Sequence, residues 1–331
     1  MDHNLNNDLP PANRPFRSRF ILIMGALLGL LMLTVAVAVL IFSERETVKS
    51  DKTLEQGKQQ VQEVAADRVD SANEGRLIYL SGQLQAAGPA RDPELGISAP
   101  VLRLIRQVRI YQWQEERALS SSKYVKRYKY TKVWSENPID SRRFSRPAGH
   151  ENPPFELAGR SFEAPKVRVG AFLLSSSLLG QIQDTQPLAV TKADFKGSPV
   201  LAARLQETGQ GLYLGKSPQK PEIGDLQISF ATVPLTQVSV VAGQHREMLG
   251  PFQTPAGSYI EMLMLGQVPR AGMFETSESA NAGASWFARG FCLLLMLGGF
   301  WLSLRPFVDR SRFLIAVGLS LLAMGLIIAR A

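Results

Sequence analysis

His150 and His245 are the only histidines between the apolar ends of this chain of 331 residues. Two imidazoles cannot supply a three-histidine zinc site, and they do not stand at the i, i+4 spacing of a metalloprotease helix. His150 is the more interesting of the two, because Gly149-His150-Glu151-Asn152-Pro153 is a turn-rich string that places an imidazole beside a carboxylate. A hydrolase built on His150 would need a Ser or Asp within hydrogen-bond reach. No Gly-x-Ser-x-Gly elbow accompanies it, so a structural hydrogen-bonding role is expected. The single cysteine, Cys292, lies in an apolar run, which leaves the polar part of the chain without a disulfide, a thiolate metal site or a cysteine nucleophile. Gly209, Gly211, Gly215, Lys216 and Ser217 approach a phosphate-binding loop, but Gln210 stands where that loop needs glycine, and Pro218 and Pro221 follow. An ordinary turn is expected there, and no catalytic residue, cofactor or metal is assigned.

The most polarised stretch runs from Arg103 to Lys132, with nine basic against two acidic residues and five interleaved aromatics. Arg103, Arg106, Arg109, Tyr111, Trp113, Lys126, Lys129, Tyr130 and Lys132 are its candidate lipid- or partner-binding residues. A basic, aromatic surface near a bilayer can hold anionic headgroups, each basic residue contributing on the order of 1 kcal/mol. The alternative is a solvated strand pair whose charges simply point outward. RNA binding suits the composition but not an exported compartment, and no nucleic-acid partner is expected.

The elements that must position these residues begin in the membrane. Phe20 to Phe42 carries no charge, and its 23 residues span roughly 34 Å as a helix, enough to cross a hydrocarbon core of about 30 Å. That is too long for the core of a cleaved signal peptide, so an uncleaved signal anchor is expected over 20–42. Arg14, Arg17 and Arg19 precede it and should keep residues 1–19 cytoplasmic. Two further apolar stretches, 286–304 and 313–329, enclose a basic loop at 305–312, which this topology returns to the cytoplasm. Arg289 is expected to snorkel to the headgroups, with a re-entrant hairpin as the alternative for this short pair. Gly25 with Gly29, and Gly318 with Gly325, would permit close helix packing.

Residues 43–285 then form one large extracytoplasmic domain, periplasmic or lumenal, with a nearly balanced charge. Leu54, Val61, Ala65 and Val69 suggest a polar amphipathic helix continuing from the first span, and Lys166 to Ile182 a second helix buried against a sheet. Leu77 to Leu80, Val108 to Trp113, Leu226 to Val233 and Val238 to Ala242 read as strands. The expected class is α+β, a mixed or antiparallel sheet with helices, and the similar starts at Gly75 and Gly224 hint at an internal duplication.

Several strings resemble a known family. They are Asn73-Glu74-Gly75-Arg76-Leu77; Asp92-Pro93 with Gly96; Tyr111-Gln112-Trp113; Tyr128 and Tyr130 before Trp134; Gly149-His150-Glu151-Asn152-Pro153; Gly170 with Phe172-Leu173-Leu174-Ser175-Ser176; and Gly224-Asp225-Leu226. In this order, over roughly residues 44–275, the chain resembles the transmembrane protein 43 family, also called LUMA. The resemblance implies a large lumenal domain between one N-terminal and several C-terminal membrane helices. It also implies residence in the inner nuclear membrane or endoplasmic reticulum in a eukaryote, self-association, contacts with emerin and lamins, and no established enzymatic activity. Two C-terminal spans in place of the animal three, with compact loops, suggest a bacterial relative in the inner membrane, where the animal partners would not exist. The expected function is therefore a multi-pass membrane scaffold that self-associates and meets lipids and other membrane proteins. A lipid-binding or transport accessory is the alternative, and a hydrolase centred on His150 the third.

Overall fold

The computed structural model describes residues 15–118, 127–155, 157–209 and 211–304. The expected loop at 305–312, the third span with Gly318 and Gly325, Lys126 and Gln210 lie outside them. The chain divides into two compact units, one made of the helical segments up to Gln56 and from Phe274 onward, the other of Gly57–Met273.

The first unit is a pair of antiparallel helices. Pro15–Gln60 and Arg270–Leu304 are each long and apolar enough to cross a membrane. Glycine sets how closely they approach: a Cβ on Gly29 would collide with the Gly299 carbonyl and Ser303, and one on Gly299 would meet the Gly29 carbonyl. Gly25, the other half of the expected small-residue pair, has nothing within 4 Å. Further along, Asn281 Nδ2 donates to Ser50 Oγ at 2.6 Å. Arg289 grips Glu44 with two nitrogens, Nε to Oε1 at 2.6 Å and Nη2 to Oε2 at 2.9 Å, and its guanidinium lies 5.3 Å from the Trp286 ring. Besides the headgroups toward which Arg289 is expected to reach, a carboxylate across the helix pair meets its fork geometry directly.

The second unit is strand-rich and confirms a mixed α+β class. One sheet is built around Leu77–Gln85 and Gln237–His245, which pair antiparallel from Gln83↔Gln237 to Leu77↔Gly243. It closes through the short strands Arg168–Val169, Phe172–Leu174 and Met248–Gly250, and Met262–Leu265 extends it. The other sheet runs in the order Leu205–Thr208, Gly211–Leu214, Leu226–Val233, Arg103–Ala118, Arg127–Ser135. Leu226–Val233 alternates apolar and polar residues, and its Leu226, Ile228 and Phe230 share one buried core with Leu104, Val108, Ile110, Leu80 and Val240. Full burial of each such side chain contributes about 1.5–3 kcal/mol.

Two expected helices are corrected. The helix from the first span stops at Gln60, because the chain beyond it is captured as a strand: Gln62 and Glu63 pair in parallel with Ile78 and Tyr79. Leu54 is therefore helical, whereas Val61, Ala65 and Val69 are not. Within Lys166 to Ile182 only Ser176–Gly180 is helical. Lys166 (φ 49°) and Gly170 (φ 57°) both adopt left-handed backbone, which no α-helix accommodates. Gly170 also presses on the Ala66 carbonyl, where any Cβ would clash. The strands that follow Gly75 and Gly224 sit in different sheets with different neighbours, so the two glycine turns (φ 69° and 97°) recur without a repeated topology.

Candidate functional site

The long strand Arg103–Ala118 carries the site and changes character along its length. As far as Gln112 its even-numbered residues face the core, and Arg106 shares that parity with Leu104, Val108 and Ile110. Arg106 is only 2% exposed: Nη1 reaches Asp92 Oδ2 at 2.7 Å, Nη2 reaches Glu94 Oε2 at 2.5 Å, and Nε and Nη2 donate to the Ala158 carbonyl. Asp92, fully buried, also accepts from Glu94 N and Leu95 N with its other oxygen. Arg106 therefore belongs to no surface face, because a buried carboxylate has claimed it. Arg103 is likewise turned away, donating to the Leu179 and Ile182 carbonyls and to Glu163.

Beyond Ile110 the strand loses its neighbour Leu226–Val233 and keeps only Arg127–Ser135, on its other side, forming a two-stranded ribbon. Tyr111 stands opposite Trp134, Trp113 opposite Lys132, and Glu115 opposite Tyr130. Cross-strand partners share a face, so these six side chains form one surface. The Lys132 ammonium lies 4.9 Å from the centre of the Trp113 ring. Lys129 pairs with Glu116 and so lies on the opposite face from Lys132 and Tyr130, which corrects its placement with them. Arg109 is exposed, in register with Gln227 on the sheet just inside the ribbon.

The loop 137–155 braces this surface. Asn152 takes the place of a missing strand: its Oδ1 accepts from Trp113 N at 2.7 Å, and its Nδ2 donates to the Trp113 and Ile139 carbonyls. The His150 ring stacks on Tyr130 at 3.9 Å and meets Trp113 edge-on at 4.8 Å, while its Nδ1 lies 3.2 Å from the Arg146 carbonyl. No Ser or Asp contacts that imidazole among the described residues. Gly149 is left-handed (φ 82°) and its N–H, with that of Glu151 itself, holds the Glu151 carboxyl below its usual range. Burial pushes Glu115 upward, but hydrogen bonds from Tyr130 Oη at 2.6 Å and Ser145 N at 2.6 Å outweigh it and hold the carboxyl low. Burial, and then the bond to Glu115, raise the Tyr130 hydroxyl.

The inner end is anchored by Gly224 and Asp225. Gly224 N donates to the Tyr111 carbonyl, and a Cβ on Gly224 would meet Pro153 at 2.9 Å. Asp225 Oδ2 accepts from Tyr213 Oη at 2.6 Å and from Glu222 N at 2.8 Å. Burial, and then the Asp225 bond, hold the Tyr213 hydroxyl well above the ordinary phenol range. Trp134 connects this anchor to the ribbon, its ring 5.1 Å from Tyr111 and 6.2 Å from Tyr213. Two residue groups that were separate in sequence thus converge: Tyr111, Trp113, Tyr130 and Lys132 with Trp134, Gly149, His150, Asn152, Pro153, Gly224 and Asp225.

Residues 110–330 match the family profile described as Transmembrane protein 43, a stretch that begins where the ribbon does. The chain belongs to the transmembrane protein 43 family. It is similar to Transmembrane protein 43 of Homo sapiens and of Pongo abelii, 29% identical to each over 296 residues covering 83% of this chain and 72% of the relative. The Drosophila melanogaster homolog is 25% identical over 292 residues. No solved structure matches the chain.

In this family member the string Asn73 to Arg76 lies apart from the ribbon. Gly75 N bonds the Gln244 carbonyl and Glu74 Oε2 accepts from Arg246 N, so the string locks the end of the Gln237–His245 strand. Three residues of this surface and its brace carry no motif in the sequence: Glu115, although it shares the parity of Trp113; Tyr213; and Ser141, whose Oγ accepts from Asn152 N at 3.0 Å. Thr208 pairs antiparallel with Gly211, and Lys216 pairs with Glu222.

Proposed function

We propose that this transmembrane protein 43 family member is a membrane-anchored scaffold whose strand-rich domain lies outside the cytoplasm, self-associates and gathers other membrane proteins. The observation that carries the proposal is the aromatic ribbon: it stands beyond the shared core, its loop brace is made of hydrogen bonds and ring stacking, and among the described residues no arrangement of groups around it resembles a catalytic centre. A surface held rigid without chemistry to perform suits recognition. The helix pair supplies the anchor, and Arg14, Arg17 and Arg19 before the uncharged span from Phe20 favour this orientation.

Crosslinking of the full chain in native membranes, followed by mass spectrometry, tests this. Crosslinks between copies and to other membrane proteins through lysines of the ribbon are expected. A chain that crosslinks only within itself would sink the proposal. Protease or tag mapping should find residues near position 150 outside the cytoplasm. A lipid-headgroup surface is the second reading, favoured by Lys132 over Trp113; binding to anionic liposomes unchanged by Lys132→Gln would reject it.

A further inference from the structure

Arg127–Ser135 ends its sheet, and no other described strand pairs with its outer side. Trp113 turns its N–H and C=O toward Asn152, so Gln112, Gln114 and Glu116 turn theirs toward the edge strand. Their partners Val133, Thr131 and Lys129 face back, which leaves the amides and carbonyls of Tyr128, Tyr130, Lys132 and Trp134 pointing away from the ribbon. Among the described residues no backbone group meets that outer side. The other sheet ends are short: Gln62–Glu63 has two residues, and Leu205–Thr208 and Met262–Leu265 have four each. Folded proteins keep free edges short or covered, yet this one is nine residues long. None of Tyr128–Ser135 is buried, and none belongs to the core.

Charge selects what the edge can receive. The nine residues hold Arg127, Lys129 and Lys132 and no acidic side chain. A second copy laid edge to edge would set these cations against their own kind, which is unfavourable. Lys129 and Lys132 project from opposite faces of the ribbon. A flat bilayer meets one face at a time, whereas an added strand alternates its own side chains and meets both.

Resting on the scaffold function above, we infer that this edge receives an extended acidic segment of a partner protein as an added strand. The segment pairs backbone to backbone along Tyr128–Trp134, and its carboxylates face Lys129 on one side and Lys132 on the other.

The test uses the full chain in detergent micelles and two fluorescent peptides of about ten residues, one alternating Glu and Val, the other Lys and Val, with binding read by anisotropy. The acidic peptide is expected to bind at least about tenfold more tightly than the basic one. Tyr128→Pro removes an outward amide without altering charge or the inner ladder, and should weaken binding about tenfold, while Tyr128→Ala changes it less than about threefold. Lys129→Glu with Lys132→Glu should reverse the peptide preference, a gain that misfolding cannot mimic. Equal binding of the acidic peptide to Tyr128→Pro and the parent chain would overturn the inference. So would phosphatidylserine vesicles capturing the chain through these lysines while neither peptide binds, or a dimer through this edge displacing the peptide. Crosslinking in native membranes separates the two ideas: a Lys129→Glu, Lys132→Glu chain that keeps its partners retains the scaffold and loses the edge, whereas absent partners in the parent chain remove the scaffold alone.

Discussion

The two halves of the Arg103–Ala118 strand differ in composition, the inner one basic and aliphatic and the outer one aromatic and mixed in charge, and they differ more in what surrounds them. In the inner half, neighbouring strands cover both sides, so a basic residue of core parity, Arg106, is enclosed and must bring its counter-charge with it. In the outer half, one side of the strand has a single neighbour and the other an asparagine side chain, so Lys132 stays wet and rests on an aromatic ring. A basic side chain is therefore half of a core ion pair in one place and part of an exposed aromatic surface in the other. The number of strand neighbours decides between them, not the charge.

Removing the inner cation should give the largest effect. Arg106→Met strands the buried Asp92, and breaking a buried pair from one side costs about 3–5 kcal/mol. Urea unfolding of the full chain in detergent, followed by tryptophan fluorescence, would measure it. Glu94 is 50% exposed, so Glu94→Gln should cost less than about 1 kcal/mol. Equal losses from the two would mean that burial does not separate the halves.

The outer half should respond next to its brace. Asn152→Ala leaves the Trp113 N–H and C=O without their partners, at about 1–3 kcal/mol, and should free the ribbon while the inner half stays folded. Hydrogen exchange would show this as faster exchange at Trp113 and its neighbours only. Uniform acceleration through Leu226–Val233 would mean that ribbon and core unfold together.

Much of this contrast was legible in the sequence, and what was not has physical causes. Period-two alternation marked Leu226–Val233 and the Val108 to Trp113 segment correctly, because half-buried strands display their burial in sequence. The same parity, extended two residues back, would have placed Arg106 with the core. Asp92 could not be paired with it by spacing, since only the fold brings them together. Lys166 to Ile182 resembled a helix because strand and helix periods coincide over short apolar runs, and the left-handed Lys166 leaves no signature in its residue type. Asn152 carried a clue in its Gly-His-Glu-Asn-Pro setting, but that it would finish a strand's hydrogen bonding follows only from where Leu226–Val233 ends.

The smallest expected effect is in pH. Glu115 has its carboxyl held below the usual range by donors from Tyr130 and Ser145, so it stabilises the folded ribbon only while ionised. That contribution is full above the ordinary carboxylate pKa, where both folded and unfolded chains are ionised, and it is lost as pH falls through the lowered folded value. Acid should therefore loosen the Ser145 to Asn152 brace as Glu115 takes up its proton. The Trp113 indole resonance offers a local NMR probe as pH is lowered, since Asn152 and His150 both brace that residue. Tyr130→Phe removes the strongest donor and should move the acid transition upward toward the ordinary carboxylate range. A transition at the same pH in both chains would show that the brace does not depend on Glu115, and would leave ring stacking and Asn152 as what holds the ribbon.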